Sequence, residues 1–394
     1  MTSETFNSQA KATQTTSQAD ILIVDDTPVN LRLLSQILDE QGYQTRPVPD
    51  GRLALAAAQA KPPDLVLLDI RMPDMDGYQV CAQLKDDART KDIPIIFISA
   101  LDAVEDKVKA FTVGGVDYIT KPFHVEEVLA RVKTHLALRS LQEKLENANR
   151  KMAQELDLAG QVQDSFFPQE LPDIPGWQLS IRLQPARETS GDFFDVIPLP
   201  GGCYGILVAD VVDKGVAAAL YMALSWSLIR TYASDFPLQP EKVLTSVNQR
   251  ILKDTSANQF VTVFYGVLDP GTGRLLFANA GHSPPLVIES KTGEVVRKLE
   301  FTGKPLGLFA DECCEQGAIE LVRDELLVIY TDGVTEAQNM QGSFFDEEGL
   351  IKSVKKHLGV SARELVVSVL TDVESFREEA PLADDIALGA LIRD

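Results

Sequence analysis

Two kinds of hydrophobic pattern follow one another along the chain. Between residues 20 and 136, continuous apolar runs alternate with segments of helical spacing. The runs cover residues 21–24, 65–68, 93–99 and 116–119, and the first helical segment contains Val29, Leu33, Leu34, Ile37 and Leu38. Apolar strands separated by helices are typical of a parallel sheet that is covered on both faces. Residues 20–136 are therefore predicted to form a doubly wound α/β domain with right-handed connections.

Residues 137–167 contain a heptad repeat and no turn signal before Pro168. The seam positions are Leu138, Leu141, Leu145, Ala148, Met152, Glu155, Ala159, Val162 and Phe166. A helical coiled-coil linker between two copies of the chain is one interpretation of this repeat. A single amphipathic helix lying against a neighbouring domain is the other. Glu155 and the small alanines predict a weak zipper, so dimerisation is expected to be switchable.

In residues 168–394 the strands and the helices are grouped rather than alternating. Strands are predicted at residues 260–268, 275–280 and 326–330, and helices at 215–232, 240–252, 347–358 and 361–376. Such grouping favours an α+β domain that is layered around antiparallel sheets. The helix at 215–232 is apolar on nearly every side and is expected to be buried.

Composition excludes several classes of protein. The chain has 394 residues and a formal net charge of −21, which opposes nucleic-acid binding through a basic face. No uncharged apolar run is long enough to span a membrane. The first nineteen residues are rich in Ser and Thr, and they are predicted to be a disordered N-terminus, not a signal peptide. The four cysteines, with Cys313 and Cys314 adjacent, indicate a reducing cytoplasm and no zinc site.

Acidic, hydroxyl and amine side chains follow the predicted strands of the first region. These are Asp25, Asp26, Asp69, Ser99 and Lys121. The carboxyl ends of parallel strands meet at one edge of the sheet, where three carboxylates repel each other unless a divalent cation lies among them. With Mg²⁺ bound, one carboxylate can attack a phosphoryl group, while Lys121 and Ser99 hold its oxygens.

These residues resemble the receiver domains of bacterial response regulators. The resemblance rests on Asp25-Asp26, Asp69-Ile-Arg-Met-Pro-Asp-Met-Asp-Gly, Ile98-Ser-Ala and Tyr118-Ile-Thr-Lys-Pro. It implies a five-stranded sheet and phosphorylation of Asp69 by a histidine kinase. It also implies Mg²⁺ bound by Asp25, Asp26, Asp69 and the backbone carbonyl of Arg71. Tyr118 occupies the family's switch position and rotates as Ser99 moves toward the phosphate, and Pro122 occupies the position of a cis-proline.

Carboxylates also gather at strand ends in the third region. Asp210 and Asp332 each follow a buried run, Asp192 and Asp195 lie in Gly-Asp-Phe-Phe-Asp, and Asp384-Asp385 precede the last strand. A carboxylate in such a position is costly unless it binds a cation. Without supporting His or Cys, the acids indicate two Mg²⁺ or Mn²⁺ ions that activate water for attack on a phosphate ester.

The same region resembles the metal-dependent (PPM-type) serine/threonine phosphatases, in their SpoIIE-like bacterial branch. The motifs are Gly191-Asp-Phe-Phe-Asp, Ala209-Asp-Val, Ala278-Asn-Ala-Gly-His-Ser-Pro, Tyr330-Thr-Asp-Gly and Asp384-Asp-Ile-Ala-Leu. The implied fold is an antiparallel β-sandwich flanked by helices.

The resemblance also assigns roles to individual residues. Asp210 becomes the bridging ligand together with the Val211 carbonyl, Asp192 and Asp332 bind one metal each, and Asp384 completes the set. Arg187 is a candidate phosphate clamp or an ordinary surface arginine. His282 is expected to be structural.

Asp213 departs from the pattern of this branch. The branch has Ser-Gly-Lys-Gly after the bridging Asp-Val, whereas this chain has Val212-Asp213-Lys214-Gly215. Either the Asp213 carboxylate joins the metal shell through water, or the turn changes and catalysis suffers.

Together the regions predict a cytoplasmic two-component response regulator whose phosphatase is controlled by phosphorylation of Asp69. The implied substrate is a phosphorylated anti-sigma factor antagonist of a partner-switching pathway, and the implied assembly is a homodimer. The alternative is a non-catalytic adaptor whose phosphatase-like domain binds a regulatory protein.

Overall fold

The computed structural model describes residues 18–100, 104–168, 170–255, 259–310 and 314–394. The chain divides into two compact units between Arg150 and Lys151. The N-terminus that is expected to be disordered comprises residues 1–19, and residues 1–17 lie outside the described ranges. Cys313 also lies outside them. Within those ranges, every helix is too short or too polar to span a membrane.

The first unit is built on a parallel five-stranded sheet. Its strands are β1 (Asp20–Val24), β2 (Gln44–Val48), β3 (Leu65–Asp69), β4 (Ile95–Ser99) and β5 (Asp117–Thr120). Its helices are α1 (Pro28–Asp39), α2 (Gly51–Ala60), α3 (Gly77–Asp86), α4 (Val104–Thr112) and the first part of α5 (Val125–Asp164). The strand order is β2-β1-β3-β4-β5, and every pair is parallel. The predicted α/β fold is therefore confirmed.

The continuous apolar runs in this unit result from burial on both faces of the sheet. All residues of β1, β3 and β4 are buried. Side chains of α1 and α5 pack on one face, and side chains of α2, α3 and α4 pack on the other. This arrangement leaves the carboxyl ends of the strands as the edge where polar groups can meet.

Helix α5 continues far beyond the sheet that it helps to cover. It spans 40 residues and passes the predicted boundary at residues 136 and 137 without interruption. Arg139 ties the helix to the first unit, because its Nη1 donates to the backbone oxygens of Pro63 at 2.9 Å and Asp64 at 2.8 Å. Beyond this point the heptad side chains Leu141 and Leu145 are exposed.

The second unit contains two antiparallel sheets. The strands of the first sheet are β7 (Phe193–Pro198), β8 (Tyr204–Val211), β9 (Val261–Asp269), β10 (Arg274–Ala280) and β13 (Gly317–Glu320). Those of the second are β6 (Trp177–Gln184), β11 (Leu286–Glu289), β12 (Val295–Lys298), β14 (Glu325–Tyr330) and β15 (Ile386–Arg393). The helices are α6 (Val216–Asp235), α7 (Pro240–Asp254), α8 (Asp332–Thr335), α9 (Asp346–Lys356) and α10 (Ala362–Arg377). The strand orders are β13-β10-β9-β8-β7 and β12-β11-β14-β15-β6.

The two sheets pack face to face, and helices cover their outer faces. The shared core includes Phe194 and Phe264 from the first sheet and Leu327 and Ile329 from the second. Helices α6 and α7 pack on the first sheet, and α9 and α10 pack on the second. The predicted antiparallel β-sandwich flanked by helices is confirmed.

Complete burial of the helix at residues 215–232 was a wrong expectation. Ala218, Met222 and Ile229 of α6 are buried, but Leu220 is 68% exposed and Val216 is 45% exposed. A helix that lies on the outside of a sheet buries one face only, whatever the composition of its other face.

Candidate functional site

The first cluster of acids lies at the carboxyl end of the parallel sheet. Asp25 follows β1 directly, Asp26 follows Asp25, and Asp69 ends β3. Oxygen atoms of the three carboxylates all lie within 4.8 Å of one another. Asp25 and Asp69 are buried, and Asp26 is exposed. A compact set of oxygen donors of this kind suits a hard divalent cation such as Mg²⁺.

Lys121 lies directly against this cluster. Its Nζ is 2.7 Å from Asp69 Oδ2 and 2.9 Å from Asp25 Oδ2. Burial raises the pKa of the Asp69 carboxyl, and the hydrogen bond from Lys121 and a backbone hydrogen bond from Arg71 act in the opposite direction. The peptide bond between Lys121 and Pro122 is cis. The ammonium therefore compensates part of the negative charge of Asp25 and Asp69.

The two predicted switch residues lie on neighbouring strands. Ser99 ends β4 and pairs with Thr120 of β5. Tyr118 of β5 is half-buried, and its ring makes an edge contact with Phe111 of α4 at 6.2 Å. The Arg131 guanidinium of α5 lies 5.6 Å from the same ring. Tyr118 therefore links the strand that precedes Lys121 to both α4 and α5.

The acids of the second unit come from four separate segments. Asp192 precedes β7, Asp210 lies near the end of β8, Asp332 begins α8 directly after Thr331, and Asp384 lies two residues before β15. Asp210 pairs with Thr262 across the sheet. Antiparallel pairing and sandwich packing thus bring together residues that are far apart in sequence.

Burial and, after it, neighbouring negative charge raise the pKa values of three of these carboxyl groups. Burial raises the pKa of Asp192 well above its ordinary value, and the negative charge of Asp210 adds to the effect. Burial and the nearby Asp332 raise the pKa of Asp210 to about 7. The Asp332 pKa is also raised, first by burial and then by Asp384. The four predicted ligands therefore lie near enough to repel one another.

The second cluster has the chemistry of a divalent cation site. Its side-chain donors are all carboxylate oxygens; Asp192 is buried, and Asp210, Asp332 and Asp384 are partly exposed. A divalent cation placed among them would offset both burial and mutual repulsion, so the residues present fit the Mg²⁺ or Mn²⁺ implied by the resemblance. Among the described residues, the first cluster alone has three ligand atoms within 4.8 Å of one another.

Three residues to which the sequence assigned no separate role contact the predicted ligands. The Thr331 hydroxyl donates to Asp192 Oδ2 at 2.6 Å. Lys214 Nζ lies 2.9 Å from Asp384 Oδ1. Asp385, adjacent to Asp384, is 4% exposed and accepts hydrogen bonds from the segment before Asp192. The motifs contained these residues, but nothing in the sequence distinguished ligands from the residues that hold them.

The remaining predicted residues have varied environments. Arg187 is exposed, and Val211 is buried at the end of β8. Asp213 is exposed with a φ of 73°, in the left-handed region that favours glycine.

His282 is fully buried in the second unit. Its Nδ1 lies 3.0 Å from Thr262 Oγ1, and its backbone N–H donates to Asn279 Oδ1 at 2.8 Å. Burial lowers its pKa to about 4, so it is neutral near pH 7. The structural role expected for His282 stays a prediction.

Comparison with protein families matches each unit to a different family. Residues 21–133 match the response regulator receiver domain family. Residues 200–394 match the family described as Stage II sporulation protein E (SpoIIE).

Individual relatives agree with the match to the second unit. Protein IcfG of Synechocystis sp. is 28% identical over 267 residues, which are 61% of this chain and 42% of IcfG. The chain therefore spans less than half the length of that relative. Phosphoserine phosphatase RsbU of Bacillus subtilis is 27% identical over 262 residues, which are 66% of this chain and 74% of RsbU.

A solved structure supports the fold of the same region. The SiaA-PP2C domain of Pseudomonas aeruginosa superposes with a TM-score of 0.56 at 21% identity, covering 63% of this chain and 99% of that domain. At this identity the similarity shows the fold.

Proposed function

Because the chain joins a response-regulator receiver domain to a SpoIIE-type phosphatase domain, we propose that it is a phosphorylation-controlled protein phosphatase. In this proposal, phosphorylation of Asp69 controls metal-dependent hydrolysis of phosphoserine or phosphothreonine in a protein substrate. The observation that carries the proposal is the convergence of Asp192, Asp210, Asp332 and Asp384 from four separate segments of the chain, near enough that neighbouring negative charge adds to the raised pKa values of the first three.

The receiver residues have separate roles in the proposed phosphoryl transfer. Asp69 attacks the phosphoryl group of a phosphorylated histidine kinase, and the histidine nitrogen leaves. Mg²⁺, held by Asp25, Asp26, Asp69 and the Arg71 carbonyl, supplies charge neutralisation when bound. Lys121 pairs with the transferred oxygens, because it already lies 2.7 Å from Asp69. Ser99 hydrogen-bonds another oxygen, and Tyr118 follows its movement.

The phosphatase residues hold the cations and orient the phosphate ester. Asp192, Asp210, Asp332, Asp384 and the Val211 carbonyl are proposed to hold the Mn²⁺ or Mg²⁺ ions. When bound, the ions would activate water for in-line attack on phosphorus. Arg187, which lies five residues before Asp192 and is exposed, is proposed to bind phosphate oxygens.

The proposed substrate is a phosphorylated anti-sigma factor antagonist in the cytoplasm. Support comes from the alignment with RsbU, which is named a phosphoserine phosphatase and which the chain covers over 74% of its length. No role in binding nucleic acid or membrane is proposed, since the net charge of −21 repels phosphate backbones.

Helix α5 is proposed to form a coiled-coil homodimer. Leu138, Leu141, Leu145 and Met152 are between 57% and 62% exposed, although they occupy seam positions of the heptad repeat. A second copy of α5 would cover these side chains. Leu145→Asp should convert the dimer to a monomer in sedimentation equilibrium, whereas the same change at exposed Gln142 should not.

Two measurements test the proposed function. The first is Mn²⁺-dependent hydrolysis of p-nitrophenyl phosphate, which should be lost in Asp210→Asn and in Asp332→Asn. A wild-type chain that binds its partner but hydrolyses nothing would establish the adaptor function instead. The second compares the rate with and without beryllofluoride, a phosphoryl mimic, using Asp69→Asn as control. An identical rate would refute control by the receiver.

A further inference from the structure

The last turns of α5 make a two-way hydrogen bond to the segment that precedes Asp192. Gln163 Nε2 donates to the Ser190 carbonyl at 2.6 Å, and Gln163 Oε1 accepts from the Ser190 N–H at 2.8 Å. Gln163 is 5% exposed and Ser190 is 1% exposed. Both backbone groups of Ser190 therefore depend on one side chain, because water does not reach them.

Asp385 holds the same segment from the opposite end of the chain. Its Oδ1 accepts from the Ala186 N–H at 2.7 Å, and its Oδ2 accepts from the Gly191 N–H at 2.7 Å and the Ser190 hydroxyl at 2.9 Å. Both oxygens of a buried carboxylate are thus used. Residues 186–191 are fixed near each end, and Arg187 lies between the two points.

The backbone of α5 itself lies close to this segment. A Cβ added at Gly160 would lie 2.1 Å from the Glu188 carbonyl oxygen, which is too close for any side chain. Gly160 and Gln163 are three residues apart and share one face of the helix. The helix can therefore contact residues 186–191 directly only because position 160 is glycine.

We propose that Gln163 and Asp385 are positioning residues for the phosphatase reaction, and this rests on the proposed function. They hold residues 186–191 so that Arg187 and Asp192 take up the arrangement needed for phosphate and metal binding. Gln163 makes that arrangement depend on the position of α5. Displacement of the helix breaks both hydrogen bonds together and leaves the backbone of Ser190 buried without partners.

The hydrogen bonds between Gln163 and Ser190 connect α5 to the segment that carries Asp192. A different contact reaches helix α6: Phe166, two residues after the end of α5, packs against Trp226 of α6 with ring centroids 5.3 Å apart. Substitutions at Gln163 and at Phe166 therefore test these two contacts separately.

The test uses the full chain and substitutions matched on one helix. Gln163→Met keeps the size of the side chain and removes both hydrogen bonds. Gln161→Met is the control, because Gln161 is exposed and bonds to Asp157 of its own helix. Asp385→Asn leaves one acceptor oxygen, which cannot serve both ends of the segment. Ser190→Ala removes the hydroxyl alone and keeps the backbone bonds.

Two properties are measured for each variant: the turnover of p-nitrophenyl phosphate, and Mn²⁺ binding followed by calorimetry. We expect Gln163→Met and Asp385→Asn each to lower kcat by about tenfold or more, since small displacements of positioning groups have effects of this size. Mn²⁺ binding should weaken in both variants because Asp192 is displaced. Ser190→Ala should lower kcat and Mn²⁺ affinity less than either of them. The double variant should lose less than the product of the single losses, because both residues hold one segment.

Two results would overturn the proposal. One is equal kcat and Mn²⁺ affinity in Gln163→Met and Gln161→Met. The other is a loss of kcat in the double variant that equals the product of the two single losses, which would indicate that Gln163 and Asp385 act independently. Failure of the proposed function is distinguishable, because the wild-type chain itself would then lack Mn²⁺-dependent turnover.

Discussion

Lys214 Nζ lies 2.9 Å from Asp384 Oδ1, so the chain places one of its own cations beside a predicted metal ligand. The ammonium also donates to the Ala383 carbonyl. The Lys214 charge lowers the pKa of Asp332, against the larger effect of burial. Lys214 therefore compensates part of the negative charge of the cluster.

Replacing Lys214 should strengthen metal binding, because a divalent cation on Asp384 competes with the ammonium. We expect Lys214→Met to raise Mn²⁺ affinity about three- to tenfold, the size expected for a half-exposed charge pair. Isothermal titration calorimetry measures the change, and Lys242→Met, an exposed lysine on α7, serves as control. Weaker binding would show that Lys214 instead holds Asp384 in place for the metal.

The stability of the metal-free protein should fall as pH rises. The folded-state pKa of Asp210 is about 7, against 3.8 for an ordinary Asp, so the folded state holds this proton more tightly than the unfolded state. The contribution is fully present below pH 4 and is lost as pH rises through 7. In EDTA, the melting temperature of the second unit should drop by several degrees between pH 5 and 8, and Mn²⁺ should reverse the drop.

Asp210→Asn provides the control for this pH dependence. It removes the group with the raised pKa and relieves the charge on Asp192, so its melting temperature in EDTA should vary less with pH. An unchanged dependence would locate the titrating group elsewhere.

The ion pair between Asp195 and Arg230 should contribute measurably to stability. Asp195 is 1% exposed, and its Oδ2 lies 2.8 Å from Arg230 Nε on α6. Arg230→Met leaves a buried carboxylate without its partner, which should cost about 1–3 kcal/mol in urea unfolding. Arg250→Met, which breaks the exposed pair with Asp254, should cost less than about 1 kcal/mol. Equal costs would mean that burial of Asp195 has no energetic consequence.

Replacing Asp213 should separate the role of its backbone from that of its carboxylate. With a φ of 73°, Asp213 is strained, and Asp213→Gly should stabilise the second unit by about 0.5–1 kcal/mol. Asp213→Ala removes the carboxylate and keeps the strain. If the carboxylate joins the metal shell through water, both variants should lose phosphatase activity. If the backbone alone matters, Asp213→Gly should keep or raise activity.

The order of the buried strands in the first unit was predictable because each of them depends on local periodicity, whereas the half-exposed β2 was not among the predicted runs. The runs that became β1, β3 and β4 are buried on both faces, so their sequences are continuous and easily recognised. The burial of α6 was not predictable, since Leu220 is as apolar as Met222 and only packing decides which of them is covered.

The sequence also proposed the candidate ligands: Asp210 and Asp332 because a carboxylate at the end of a buried run is costly, and Asp192 and Asp384 through the family resemblance. The tertiary structure decided which groups hold them. Thr331 and Asp192 are 139 residues apart, and Asp385 and Gly191 are 194 apart, yet each pair is hydrogen-bonded. Such pairs depend on how strands from distant parts of the chain align, and that alignment is a property of the whole core, which no local pattern encodes.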